Sequence, residues 1–218
     1  MPISLSGGSC GVQSDSLNLT YARPVVDPYL RNTSLQSAMT TNYPQSTPTT
    51  VNKKDTALPA SPNNHYSLLP STSLTLKPGV YYFDNIDTAS GSPVITGDGV
   101  TLIFSPNIKF PTNLPTFNIT PPLPPKDISD PNTCPFCGIS IASKSSMPFK
   151  LTGGELFTGS VYLPNSAVTY TGNTKETCLQ LVSDTIDFTG NSTLTNDISK
   201  CPFYQNQLIK QTVVDLVQ

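Results

Sequence analysis

Short β-type runs cut by tight corners recur along residues 151–194, and they constrain the fold more than any other feature of the chain. The runs cover residues 155–163, 167–170 and 179–188, and Gly-Asn and Pro-Asn corners separate them. One phrase repeats, closing an aromatic or apolar run with Thr-Gly: Phe157-Thr158-Gly159, Tyr170-Thr171-Gly172-Asn173 and Phe188-Thr189-Gly190-Asn191. Gly and Asn tolerate positive φ, so they can turn a chain sharply. Corners spaced by roughly 15–20 residues predict coils stacked into a solenoid, each burying its apolar side on the next.

A second block of the same kind covers residues 74–105. Turns are predicted at Pro78-Gly79 and Gly97-Asp98-Gly99, and we expect the Asp98 side chain to bond to its own backbone there. The apolar run 100–104 is continuous, which is typical of a strand buried on both faces of a parallel sheet. The sequence therefore predicts a mainly β chain, folded as a right-handed parallel β-helix with long Pro-rich loops.

Composition limits the amount of helix. The chain has 22 prolines and only 12% charged residues. Proline breaks helix interiors, and few charges leave few ion pairs to support surface helices. One short helix is predicted over residues 28–39, after the Asp27-Pro28 step, with Leu30, Ser34 and Ala38 on one side.

The chain is predicted to form one domain. Residues 1–73 are read as an N-terminal segment and an extended polar loop packed on the body, and residues 74–218 as the solenoid body. Residues 110–131 carry seven prolines, a composition that favours polyproline II in a spacer or docking strip.

Charge and hydropathy exclude two classes of partner. The net charge is −2 and the basic residues are scattered, so nucleic-acid binding is not expected. No apolar run approaches the ~20 residues that span a bilayer. Either the protein is soluble as it stands, or it is an excised ectodomain that meets the membrane only through a segment absent from this chain, and we favour the second expectation.

Five cysteines are present: Cys10, Cys134, Cys137, Cys178 and Cys201. The Cys134-Pro135-Phe136-Cys137 pair has the spacing of a redox motif or of half a zinc site, but its place beside a Pro-rich strip favours a local disulfide. Cys178 and Cys201 flank the last clear coil and are the preferred second pair. Cys10 is an alternative partner for Cys134 or Cys137, and an odd number leaves at least one thiol over.

No residue is predicted to be catalytic, and no metal or cofactor is expected. Asp84 with Asp87, and Asp184 with Asp187, are three residues apart, which places the two carboxylates on opposite faces of a continuous strand. His65 is the only histidine, and no G-x-S-x-G elbow accompanies it. The sequence therefore favours a protein that is not an enzyme.

Three groups of phrases carry a family resemblance. They are Lys77-Pro78-Gly79-Val80-Tyr81 with Gly97-Asp98-Gly99-Val100-Thr101, then Gly159-Ser160-Val161-Tyr162-Leu163-Pro164-Asn165 with Tyr170-Thr171-Gly172, then Cys178-Leu179-Gln180-Leu181-Val182 with Phe188-Thr189-Gly190. In this order, from Asp27 to the C-terminus, the chain resembles the C-terminal region of TadG-like proteins of the tight-adherence (Flp) pilus-assembly system. It departs from their pattern in having neither a membrane helix nor a von Willebrand-type insert.

The resemblance implies a bacterial cell-envelope protein, periplasmic or extracellular, that assembles, anchors or displays an adhesive pilus without enzymatic turnover. Its partners would be other envelope or pilus proteins and surface glycans. Two alternatives stay open. One is a carbohydrate-binding or carbohydrate-active solenoid with a groove lined by Tyr81, Tyr82, Asp84, Tyr162 and Tyr170. The other is a self-associating structural subunit that uses its sheet faces and a C-terminal strand at residues 208–217.

Overall fold

A computed structural model describes residues 27, 29–40, 49–51, 65–68, 73–86, 94–108, 110, 114–125, 133–152, 156–171, 175–176, 178–189 and 193–194. The elements are α1 (Thr33–Thr40), β1 (Thr49–Val51), β2 (His65–Leu68), β3 (Leu74–Thr75), β4 (Gly79–Ile86), β5 (Val94–Asp98), β6 (Val100–Phe104), β7 (Thr116–Thr120), β8 (Ile139–Ser143), β9 (Phe149–Thr152), β10 (Leu156–Thr171), β11 (Lys175–Glu176), β12 (Cys178–Thr189) and β13 (Thr193–Leu194).

The strands wind as a β-solenoid of about four turns. Every strand pair in the described part of the chain is parallel, and eleven of the strands belong to one sheet system. The predicted parallel β-solenoid is therefore confirmed. Its ladder begins upstream of residue 74, because β1 pairs with β2 and β2 pairs with β4.

One side of the solenoid, here called the broad face, positions the candidate site. It comprises β2, β4, β6, β8, residues 158–163 of β10 and residues 178–183 of β12. Equivalent residues stack from coil to coil, and one such row is Tyr81, Leu102, Ile141, Val161 and Leu181. Side chains alternate along each strand, so this row points inward and its neighbours point outward.

Glycines mark the corner at which the chain enters the broad face. Gly79, Gly99, Gly138 and Gly159 all have positive φ, and each stands just before or at the start of one of its strands. At Gly159, where φ is 92°, an added Cβ would lie 2.7 Å from the carbonyl oxygen of Gly138 in the preceding coil. The corner therefore needs glycine for both its conformation and its close coil-to-coil contact.

Aromatic rings fill the interior. Tyr66, Phe83 and Phe104 stack in register on three successive strands, and Phe104 also contacts Phe149, with ring centroids 6.4 Å apart. Phe110 meets Phe149 edge-to-face with centroids 4.9 Å apart. Offset and edge-to-face contacts of this kind suit the ring quadrupoles and link the coils along the solenoid axis.

The broad face is buried on both sides. All five residues of β6 are buried, as the continuous apolar run 100–104 predicted, and so are all five of β8. Val100, Leu102 and Phe104 face the interior core, whereas Ile103 belongs to a second cluster on the outside. Tyr29, Leu35 and Met39 pack against it from outside the sheet.

The predicted helix exists, but its predicted start was wrong. It begins at Thr33, because Asn32 is its cap: Asn32 Oδ1 accepts a hydrogen bond from the Leu35 amide at 3.0 Å. Leu35 and Met39 are fully buried, and Ala38 packs half-buried against the same cluster. Leu30 lies before the helix and is 65% exposed.

Some predictions fall on positions outside the described residues. They concern Cys10, Cys201, Asp87 and the C-terminal strand at 208–217. Among the residues that the structure does describe, no helix has the length and apolar character required to cross a bilayer.

Candidate functional site

Residues 27 and 29–40, here called the strap, lie across the outer surface of the broad face. The strap contributes Tyr29, Leu35 and Met39 to the outer cluster. The solenoid contributes the outer patch, which is Tyr82, Ile103, Ile139, Ala142 and Tyr162. The patch draws on β4, β6, β8 and β10, so the strap spans successive coils. Tyr29 meets Tyr162 edge-to-face, with ring centroids 5.0 Å apart.

A buried hydroxyl–amide cluster fixes one end of the strap to two neighbouring strands. The Tyr29 hydroxyl lies 2.5 Å from Ser160 Oγ, and Ser160 Oγ lies 2.6 Å from Gln180 Oε1. Tyr29 Oη is also 3.1 Å from the same Gln180 oxygen. Two proton arrangements are consistent with these contacts: either Tyr29 donates to Ser160 and Ser160 to Gln180, or Ser160 donates to Tyr29 and Tyr29 to Gln180. In both arrangements the Gln180 amide oxygen accepts a hydroxyl proton, and the cluster links the strap to β10 and β12.

A second polar group ties the strap to Tyr162. The Tyr162 hydroxyl donates to Asp27 Oδ2 at 2.6 Å and accepts from Gln36 Nε2 at 3.1 Å. The same Gln36 nitrogen donates to the Tyr29 carbonyl at 3.0 Å. Asp27 Oδ1 accepts from the Tyr29 amide at 2.9 Å, which closes a turn before the helix. One carboxylate therefore shapes the strap and anchors it to β10.

Burial raises the pKa of Tyr162 well above the usual tyrosine value, and the hydrogen bond to the Asp27 carboxylate raises it further. The phenol therefore stays protonated and acts as a donor across the neutral range. That role is structural in this arrangement, because a general base at this position would need a lowered pKa.

The loop at residues 133–138, here called the latch loop, holds the other end of the strap. Cys134 and Cys137 form a disulfide within it. Asn32 Nδ2 donates to the carbonyl of Pro135 at 2.6 Å, while the Oδ1 of the same side chain caps α1. Phe136 packs half-buried against the outer cluster. One asparagine thus joins the helix start to the disulfide loop.

The structure tests one of the two predicted disulfides in full and the other in part. Cys134 and Cys137 are bonded to each other, as the local-disulfide prediction required. Cys178 is buried and disulfide-bonded, and its predicted pairing with Cys201 concerns a residue outside the described part. Over the described ranges, no group of three or more His, Cys, Asp or Glu side chains is placed to hold a metal ion.

The predicted groove lined by exposed tyrosines was wrong. Tyr81, Tyr82, Tyr162 and Tyr170 are between 0% and 7% exposed, so they cannot present rings to a sugar. Two of them, Tyr81 and Tyr170, fill the interior, and the other two lie beneath the strap. Periodicity alone could not tell an outward tyrosine that is covered from one that is open to solvent.

Asp27 is the carboxylate that the strap's polar cluster contains. Of the residues predicted as possible acidic pairs, Asp84 is half-buried in β4 and Asp184 is exposed in β12. The Asp98 carboxylate accepts from Thr120 Oγ1 of the next coil at 2.9 Å, so the predicted bond to its own backbone was wrong. In-register stacking of β5 on β7 places Thr120 directly opposite Asp98.

Comparison of this chain with protein families, with curated proteins and with solved structures gives no match.

Proposed function

We propose that this chain is a non-enzymatic bacterial cell-envelope protein, associated with tight-adherence pili, that acts through protein or surface contacts. Its place is periplasmic or extracellular, and its partners are other envelope or pilus proteins together with surface glycans. The proposal takes its family from the ordered phrases that resemble TadG-like proteins.

One observation carries the proposal: most of the phrases that bear the resemblance build the same part of the solenoid. Four of them lead into or form strands of the broad face, at residues 77–81, 97–101, 159–163 and 178–182. Their spacing thus corresponds to a repeated corner and strand rather than to unrelated loops. This supports a likeness in architecture along the coils, beyond a chance likeness of short phrases.

Two further features favour an exported protein that works by contact. Disulfides persist in oxidising compartments, and both Cys134–Cys137 and Cys178 are in the bonded state. The tyrosine and serine hydroxyls at the strap bond to one another and to neighbouring side chains, so they bind the strap to the coils. A rigid, disulfide-bearing solenoid is suited to present its surface to a partner.

The test uses the full gene in the organism that encodes it. An epitope-tagged product should fractionate with the envelope, and photo-crosslinkers at the exposed positions Leu30 and Asp184 should capture pilus or envelope proteins. Deleting the gene should reduce the number of surface pili seen by electron microscopy. A tagged product found in the cytosol, or an unchanged pilus count together with no envelope crosslinks, would refute the proposal.

A further inference from the structure

The latch loop contacts the strap through a hydrogen bond and through side-chain packing, in addition to being closed by its own disulfide. Its Pro135 carbonyl accepts from Asn32 Nδ2 at 2.6 Å, and its Phe136 packs against the outer cluster. The carbonyl of Phe136 also accepts from Thr101 Oγ1 at 3.3 Å. The loop therefore contacts the helix cap on one side and the broad face on the other.

The two sulfurs differ in accessibility. Cys137 is 8% exposed and its Sγ lies 3.4 Å from the Leu123 carbonyl oxygen, whereas Cys134 is half-buried. An incoming thiolate can therefore reach Cys134 more readily than Cys137. The Leu123 carbonyl would accept a hydrogen bond from a protonated Cys137 thiol, so the reduced form has a partner in place.

We propose that the Cys134–Cys137 disulfide is a redox-sensitive latch: its reduction frees the strap from the outer patch and exposes apolar surface on the broad face. The reductant is a dithiol. Its thiolate attacks Cys134 Sγ, the disulfide bond breaks, and the Cys137 sulfur leaves and takes a proton. The second thiol of the reductant then attacks the mixed disulfide, which returns Cys134 as a thiol and the reductant as a disulfide, with two electrons and two protons transferred to the protein.

The physical link from bond to strap is the Pro135 carbonyl. Two free thiols cannot remain at covalent separation, and Cys137 is held against buried surroundings, so the displacement falls on Cys134 and the residue after it. The acceptor for Asn32 then moves. Because α1 has only eight residues, it depends on its cap and on packing, and loss of this contact lowers the cost of its release.

The experiment is hydrogen exchange measured by mass spectrometry on the full chain. Replacing both cysteines of the latch, Cys134→Ser with Cys137→Ser, opens the ring and leaves the bond at Cys178 intact. The amides of α1 should then exchange about tenfold faster or more, while those of β4 and β6 keep their protection. Unchanged exchange in α1, or an equal loss of protection in α1 and in the coils, would overturn the proposal.

Variants at Asn32 separate the cap from the latch contact. Asn32→Asp keeps an oxygen for the Leu35 amide but loses the donor to Pro135, and we expect faster exchange in α1 despite the retained cap. Thr40→Ala, at the exposed far end of the same helix, is the matched control and should leave its early amides unchanged. If Asn32→Asp exchanges like the wild type, the contact with Pro135 does not hold the strap and the latch is refuted.

Graded reduction of the wild type with dithiothreitol gives an independent measurement. Alkylation and mass spectrometry should show Cys134 and Cys137 opening before Cys178, which is 4% exposed. Faster exchange in α1 and binding of an apolar dye should appear at the same reductant concentration. If α1 is released only when Cys178 is also reduced, the device is the other disulfide and the proposal fails.

Discussion

Tyr162 donates a hydrogen bond to Asp27 Oδ2 at 2.6 Å, across 135 residues of sequence. The contact joins the first described residue of the strap to a strand late in the solenoid. Because the phenol ring is 1% exposed, water cannot readily replace the carboxylate.

Replacing Tyr162 with Phe should lower the free energy of unfolding by about 1–3 kcal/mol. The change removes a hydrogen bond to a charged acceptor and leaves the Gln36 amide without its acceptor on β10, while the ring still packs. Urea unfolding followed by circular dichroism measures the effect. Thr185→Ser, at an exposed position, is the control and should leave the midpoint unchanged; equal midpoints for both variants would contradict the buried hydrogen bond.

The contribution of Tyr162 to the free energy of unfolding should not change with pH below about pH 10, and it should fall above that pH. The pKa of this phenol is raised in the folded state, so the neutral form is favoured by folding, and that contribution is lost as the pH rises past the unfolded value toward the folded one. Denaturant midpoints between pH 8 and 12 test the sign. The Tyr162→Phe variant should lose stability less steeply above pH 10, and a steeper fall in the variant would show that the sign is wrong.

Gly159→Ala should destabilise the protein by about 2 kcal/mol or more. Its φ of 92° is unfavourable for a residue with a side chain, and the new Cβ would lie 2.5 Å from Pro121 Cγ. Thermal unfolding gives the measurement. Ala167→Ser, at an exposed position of the same strand, should be near neutral. A melting temperature within a degree of wild type for Gly159→Ala would mean that the corner relaxes.

Phe104→Ala should cost about 3–5 kcal/mol, since it empties a site between four other rings. Phe104→Leu, which keeps much of the volume, should cost less than half as much. Guanidinium unfolding compares the two variants. Similar losses for both would show that ring contacts, rather than filled volume, decide the stability of this position.

The sequence was sufficient for the solenoid because its cues are local. Glycine corners and a continuous apolar strand at 100–104 depend on neighbouring residues, and the parallel pairing follows from their repetition. The Pro164-Asn165 break also coincides with the shift in register between Leu163 and Ala167. Two of the Thr-Gly phrases stack directly, with Thr171 opposite Thr189, whereas Thr158 lies opposite Cys178 and marks a different corner.

The strap could not be predicted in the same way. Its contacts join Tyr29 to Ser160 and Gln180, at separations of 131 and 151 residues, and no periodic pattern encodes such pairs. The helix boundary was misplaced because Asp27-Pro28 resembles a helix start, while Asn32 supplies the actual cap. One local signal was present in β10, where Ser160 and Tyr162 alternate with the apolar Val161 and Leu163. The outer side of this strand therefore carries side chains that can both pack and form hydrogen bonds.

A strap that crosses several coils changes how such a protein comes apart. A solenoid without such a strap can unfold from either end, one coil at a time, because each coil contacts only its neighbours. Here Tyr29 bonds to two adjacent strands, and the outer cluster it belongs to reaches back to Tyr82 on β4. The strap therefore links the coils from β4 to β12, and a pulling force on one of them is shared with the others before any of them separates.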